Sequence, residues 1–382
     1  MNTQQDLWGQ TPAECPCLSR RSWRADLAPP GADPGSGGAP SGYWHLTLGR
    51  ASLLLERRAL WVSALLLSAL LPASLAYLVL GTERLPLAGL WPALQGSGDP
   101  FAAFMVQELR LPRLVAAWLS GAAFALAGCL MQTLARNRLA TPGIIGIDNG
   151  ATAFAVASIV GLGVSLAPPA MALAGGATAA AITFGLASGG DTRGYRFIVA
   201  GIGIGAVFGA VTQLMLAQVD IDSANAAYPW TVGTLNARSP GAVTVLAAGL
   251  ALGLPLALAL GRSLAGLRFS DAVASGLGLP LKRRRLQVLT LAVLLTALAV
   301  AVAGPVGMVG LIGPEIARSL SSPRGVPLVA SALAGALVMV LADLVGRLLL
   351  APIELPVGIV TAIVGGPWLL WILLRPASRR LS

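Results

Sequence analysis

The chain has 382 residues, of which 55% are hydrophobic and 11% charged, and its mean hydropathy is +0.76. A water-soluble domain of this size would not carry so little charge, so the composition excludes a globular cytosolic protein and places the chain in a bilayer. The net charge of +10 raises nucleic acid as a partner, and only its distribution along the chain decides that.

Residues 1–57 read as a disordered cytoplasmic tail, because PPGADPGSGGAPSG is low in complexity and cannot bury a core. Within it, SRRSW (19–23) superficially resembles a twin-arginine export signal. Proline and glycine follow where an apolar region is required, so the match is rejected. Cys15 and Cys17 in this tail and Cys129 in a span supply no disulfide framework, and with a single histidine, His45, no metal site is expected.

From residue 58 to 376 the chain reads as a transmembrane domain. Apolar runs of about 20 residues recur, the length a helix rising 1.5 Å per residue needs to cross roughly 30 Å of hydrocarbon. Ten spans are predicted, at 60–81, 113–134, 143–163, 168–188, 197–217, 242–261, 286–304, 305–320, 326–349 and 355–374. At Gly304-Pro305 and around Pro352 one long apolar block has to be divided. Residues 377–382 form a short cytoplasmic tail. Glycines within spans, such as Gly121, Gly128, Gly209 and Gly335, let helix backbones approach closely. GIGIGA (201–206) fits the loose dinucleotide pattern, but it has no preceding strand and lies mid-membrane, so it reads as packing. No G-x-x-x-x-G-K-[ST] sequence is present, so the chain does not hydrolyse ATP by that motif.

With the N-terminus inside, 21 of the 26 Lys and Arg fall in cytoplasmic segments, and only Arg84, Arg110, Arg113, Arg238 and Arg347 fall outside. This is the asymmetry of the positive-inside rule. The basic residues therefore encode orientation, both termini are expected in the cytoplasm, and nucleic acid is excluded as a partner. Two stretches, AFALAGCLMQTLARNRLATPGIIG (123–146) and ALAVAGPVGMVGLIGPEIAR (297–318), each run from a small-residue helix to a Gly/Pro-broken segment. An internally duplicated transporter would show such a likeness.

Several motifs in order then resemble a known family. They are LRLPRLVAAWLSGAAFALAGCLMQTLARNRLATPGIIGIDNGA (109–151), ASGLGLP (274–280), VGMVGLIGPEIAR (306–318), LADLVGR (341–347) and ELPVGIVTAIVGGPWLLWILLR (354–375). Together they resemble the FecCD-type ABC permeases, the membrane subunits of bacterial importers for iron-siderophores, haem and vitamin B12. WTVGTLNARS (230–239) looks most like the ferric-enterobactin-type branch. The resemblance implies an all-α integral membrane protein of about ten helices with the type II ABC importer permease fold, seated in the bacterial inner membrane. It implies import of ferric siderophore by alternating access. The implied partners are a second permease, identical or paralogous, two cytoplasmic ATPase subunits that bind the ATP, and an extracytoplasmic substrate-binding protein; no cofactor is expected on this chain. Haem or cobalamin is the alternative cargo. An ion-coupled secondary transporter is the rival class and would show several mid-span carboxylates, where only Asp343 comes close. No clustered acid, base and nucleophile set suggests a membrane enzyme.

The same resemblance assigns roles. The cytoplasmic segment 263–285 is expected to form coupling helices that seat on the ATPase, a rigid lever that can pass nucleotide-driven closure into the bundle. Asp271, Gly276, Leu277 and Gly278 belong to it, the glycines expected to permit the turn between two short helices. Its basic cluster, Lys282 to Arg285, would otherwise only fix topology. Glu315 and Arg318 end the eighth span at the inner boundary, where they can reach the ATPase; lying three apart on a helix, they can also simply pair. The family usually has histidine where this chain has Glu315. Asn137 and Leu139 occupy the family's R-N-P-L-A motif, here RNRLA, and are the expected inner gate; Arg138 replaces the usual proline and removes a fixed φ, which would loosen the turn. Outside, Arg110 and Arg113, with Arg347, are expected to grip acidic residues on the binding protein, contacts that steer docking more than they hold it. Against this, Asp343 and Arg347 are i,i+4 and can serve each other. Asp343 would cost about 2.5–3.5 kcal/mol facing lipid at the bilayer centre, so structural pairing is its expected role. Glu354 reads as an acid at a helix start.

Overall fold

The computed structural model describes residues 43–48, 51–81, 83, 85–161, 166–186, 195–236, 239–321 and 325–374. The segment through residue 42 with Cys15 and Cys17, residues 375–382, and Arg84, Arg193, Arg238 and Arg324 lie outside the described residues. The chain divides into two compact units, residues 1–57 and 58–382. In the first, β1 (Tyr43–Leu48) and β2 (Ala51–Glu56) pair antiparallel, with Tyr43 opposite Glu56 and Leu48 opposite Ala51. This hairpin corrects the expectation of a featureless tail over 43–56. Its aromatic and aliphatic runs, YWHLTL and ASLLLE, suit extended backbone.

The second unit is helical. Its principal helices are α1 (Arg57–Val79, entered at the unit boundary), α2 (Leu111–Ala135), α3 (Ile147–Ile159), α4 (Pro168–Leu186) and α5 (Tyr195–Ala217). They continue with α6 (Pro240–Ala259), α7 (Leu281–Ala303), α8 (Val309–Leu320), α9 (Leu328–Leu348) and α10 (Val357–Leu374). Each falls on one of the ten predicted spans. Among the described residues seven are long and apolar enough to cross a membrane: α1, α2 with its lead-in from Pro100, α4, α5, α6, α7 and α9. Short helices fill three connections: Leu87–Leu94 and Pro100–Phe104, Ile221–Ala227 and Pro229–Val232, Gly261–Leu267 and Asp271–Gly276.

Two helices are shorter than predicted. α3 has 13 residues and α8 has 12, hence lengths of about 20 and 18 Å. The cause is the broken segment before each. Pro142–Ile145 forms a single 3-10 turn closed by Gly146 at φ +81°, and α7 stops at Gly304, at φ +71°, with Pro305 following. A left-handed residue halts a right-handed helix, and glycine adopts it without Cβ strain. These are the two segments whose sequences resemble each other.

α2 is the central post of the bundle and packs along α9, α7 and α8. Every residue from Ala123 to Leu134 is buried. A Cβ added at Gly121 would lie 2.4 Å from the Gly335 carbonyl oxygen on α9, and one added at Gly128 would lie 1.9 Å from that of Gly310 on α8. Lipid tails are as apolar as leucine, so helix association there depends on such close backbone contact. α5 and α6 differ: Ile202, Val207, Leu214, Leu252 and Leu256 are exposed on them, faces suited to hydrocarbon.

Candidate functional site

Charged side chains gather at both ends of α2. At its first turn Arg113 donates from Nε and Nη2 to the two carboxylate oxygens of Asp343 on α9, each at 2.9 Å, and from Nη1 to Glu354 Oε2 at 2.7 Å. Tyr77 on α1 donates its hydroxyl to Asp343 Oδ2 at 2.5 Å. Arg347 lies over the Tyr77 ring, its Cζ 4.8 Å from the ring centre. Asp343 is only 1% exposed, and a two-pronged guanidinium with a phenol fills its acceptor positions, which is what makes a buried carboxylate tolerable. The structural role expected of Asp343 is present, but with different partners. Arg113 and Tyr77, from two other helices, replace Arg347 four residues away. Glu354 is likewise reassigned: α10 begins at Val357, and the carboxylate accepts from Arg113.

Arg110 is 4% exposed. Its Nη1 donates to the carbonyls of Leu78 at 2.5 Å and Val79 at 3.2 Å, and its Nη2 donates to that of Glu83. The expectation that Arg110 reaches a docking partner is corrected, because its guanidinium caps the carbonyls at the end of α1, where a cation also suits the helix dipole. Beside it, an added Cβ at Gly81 would meet Nη2 of Arg110 at 2.8 Å and Nη2 of Arg347 at 3.1 Å, so the two guanidiniums stand side by side. Arg347 Nη1 is buried there without a hydrogen-bond partner.

At the other end, α2 stops because Arg136 turns left-handed, at φ 49°. Arg136 Nε donates to the Leu267 carbonyl at 2.9 Å and Nη2 to Asp271 Oδ1 at 2.8 Å; Asp271 also accepts from Arg285 on α7. Asp271 therefore fastens the 263–285 segment to the foot of α2 and to the start of α7. The Ser270 hydroxyl accepts from the Val273 N–H and caps the helix Asp271–Gly276. Gly278, at φ +77°, makes the turn that follows. Gly276 ends that helix without a left-handed conformation, so the turn role expected of it belongs to Gly278 alone of the two. Phe269, Val273 and Leu277 are exposed and give the segment an apolar knob.

Between these points lies the RNRLA turn. Asn137 Oδ1 accepts from the Leu139 N–H at 2.9 Å, and the Asn137 carbonyl accepts from the Ala140 N–H at 3.2 Å. This side-chain turn supplies local order of the kind that the missing proline would have imposed at Arg138. Leu139 is exposed. Glu315 meets Arg138 at 3.3 Å and Arg318 at 3.4 Å, so the expected i,i+3 pair exists. Arg318 also donates to Gln132 Oε1 on α2. Glu315 and Arg318 are half-buried against α2 and the RNRLA turn, where the pairing reading is met.

Tyr77, Gln132 and Asp148 are the residues that sequence reasoning missed. Asp148, at the first turn of α3, has Oδ1 buried without a partner and Oδ2 so close to Gly143 that an added Cβ there would approach within 2.4 Å. It was legible as an acid inside the predicted span 143–163. Among the described residues no group of three His, Cys, Asp or Glu could hold a metal ion, and Cys129 is a buried free thiol.

One buried helix with an ion-paired hub at each end is thus the chain's organising feature, and the FecCD transport family matches residues 66–375 of it. The chain belongs to the FecCD transport family. It is 33% identical over 329 residues to the ferric enterobactin transport system permease protein FepG of Escherichia coli K12, covering 86% of this chain and 100% of that one. It is 36% identical over 336 residues to the achromobactin transport system permease protein CbrC of Dickeya dadantii 3937, covering 86% and 92%. A solved metal-chelate type ABC transporter in an inward-facing conformation superposes with a TM-score of 0.72 at 24% identity, over 83% of this chain and 100% of that one. At that identity the superposition establishes the fold. As a FecCD member with this many apolar helices, the chain is a multi-pass membrane protein of the transport class. The hairpin at 43–56 precedes the family match.

Proposed function

We propose that this FecCD member is the permease subunit of an ABC importer that carries ferric siderophore inward across the bacterial inner membrane by alternating access. The Arg136–Asp271 link carries the reading. It joins the exposed apolar knob of the 263–285 segment, where two cytoplasmic ATPases would bind and hydrolyse ATP, to the foot of the most deeply buried helix. Closure of the ATPases would displace the helix Asp271–Gly276, and Asp271 would draw Arg136 with it, and so the turn bearing Asn137 and Leu139. A rigid chain of contacts of this kind transmits displacement because packed interfaces shift between discrete arrangements.

At the outer face an extracytoplasmic binding protein would dock over the Arg113 hub. Arg113 forms the platform, and Arg347, beside the buried Arg110 guanidinium, is the cation that an acidic side chain would meet. A second permease would complete the pathway. Both termini would face the cytoplasm, the orientation that puts 21 of the 26 basic residues inside and that the positive-inside bias supports. The named relatives carry ferric enterobactin and achromobactin, which favours an iron chelate as cargo. A large polar chelate passes best through a pore without a tight site, because strong binding opposes release.

The test is purification with its ATPase subunits in lipid nanodiscs. ATP hydrolysis rising on addition of binding protein loaded with ferric siderophore is expected. Stimulation by haem- or cobalamin-loaded binding protein instead would redirect the cargo, and uptake into ATP-free vesicles on an ion gradient would overturn the reading.

A further inference from the structure

The RNRLA turn is tethered on both sides. Arg136 ties it to the coupling segment through Leu267 and Asp271, and Arg138 ties it to Glu315 of α8 at 3.3 Å. The two tethers differ in kind. Arg136 is one-third exposed, lies at the helix terminus and makes two hydrogen bonds, whereas Arg138 is 71% exposed and makes one. Glu315 itself is only 14% exposed and is held from the other side by Arg318, which also reaches Gln132. Gln132 in turn donates from Nε2 to the Gly310 carbonyl on α8 at 3.4 Å. The carboxylate is thus a fixed post, set between α8 and α2, and Arg138 is the movable half of the pair.

We propose that Arg138 and Glu315 form a latch on the inner gate, a positioning pair that holds the turn bearing Asn137 and Leu139 against α8. The latch is released when the coupling segment pulls on Arg136. The proposal rests on the gate reading above. An exposed ion pair is weak and screened by salt, which suits a contact that has to be made and broken in every transport cycle. The pair joins positions 177 residues apart, so it orders one element against another instead of stabilising a single helix.

The test uses the assembled transporter, with its ATPase subunits, in inside-out vesicles. Cys15 and Cys17 are replaced by serine, Cys129 stays because it is buried, and Leu139→Cys provides the probe site. The rate of alkylation by a membrane-impermeant maleimide is measured without nucleotide and after vanadate trapping with ATP. Arg138→Gln and Glu315→Gln are expected each to raise the nucleotide-free rate roughly two- to fivefold, the range over which an exposed pair moves an equilibrium. The double variant is expected to react no faster than Glu315→Gln alone, the non-additivity of two residues acting through one contact. High salt is expected to raise the parent rate and leave the Arg138→Gln rate unchanged. If trapping changes the parent rate but Arg138→Gln does not, or if the two substitutions add, the latch is overturned. If trapping leaves the parent rate unchanged, the gate reading beneath it fails instead.

Discussion

The two ends of α2 are built from the same residue types and differ in how water reaches them. At the Arg113 end, Asp343 is sealed between Tyr77 and a two-pronged arginine, and three helices meet on it. At the Arg136 end, Asp271 and Glu315 are paired across segments, but each pair includes a partner in contact with water. A sealed pair costs several kcal/mol to break and behaves as a weld, whereas a wet pair is worth about 0–1 kcal/mol and behaves as a clasp. The Arg113 hub therefore reads as the fixed end of the bundle and the Arg136 hub as the working end.

The comparison breaks most visibly at the weld. Arg113→Leu leaves Asp343 buried without its cation, and a loss of about 3–5 kcal/mol is expected, seen as a sharp fall in the thermal unfolding midpoint of the purified protein. Gly128→Val forces a side chain into the Gly310 carbonyl, and a loss of about 1–3 kcal/mol from overpacking is expected by the same measurement. Tyr77→Phe removes one of the three donors to Asp343 and should cost about 1 kcal/mol. Asp271→Asn sits at the small end for stability, within about 1 kcal/mol, yet it should separate hydrolysis from transport: ATPase activity of the complex persists while cargo uptake falls. An Asp271→Asn variant as destabilised as Arg113→Leu would erase the distinction between weld and clasp.

How much of this was legible follows from the range of each interaction. The ten helices were readable because hydropathy and length act locally, and the breaks at Gly304-Pro305 and Pro142-Gly143 carry their own backbone chemistry. What stayed hidden was partner choice. Asp343 has an arginine four residues away in sequence, yet it pairs with one 230 residues away, because the helix packing set by Gly121 and Gly335 brings α2 against α9. Arg138 and Glu315 each stood out as departures from the family pattern, but nothing in either neighbourhood announced that they meet. Arg110 was misassigned for a related reason: a basic residue at a helix start looks solvent-facing until the loose carbonyls of a neighbouring helix claim it. The hairpin at 43–56 was obscured by the Pro/Gly-rich stretch before it, although its aromatic and aliphatic runs were a strand signal.

The central claim is that the segment tied to α2 by Asp271 faces the cytoplasm, where an ATPase can grip it. Ser275, exposed on the helix Asp271–Gly276, offers the direct measurement: Ser275→Cys, in a chain otherwise lacking Cys15 and Cys17, is treated with a membrane-impermeant maleimide. Labelling in inside-out vesicles and none in intact spheroplasts is the predicted result; labelling in intact spheroplasts would contradict the account.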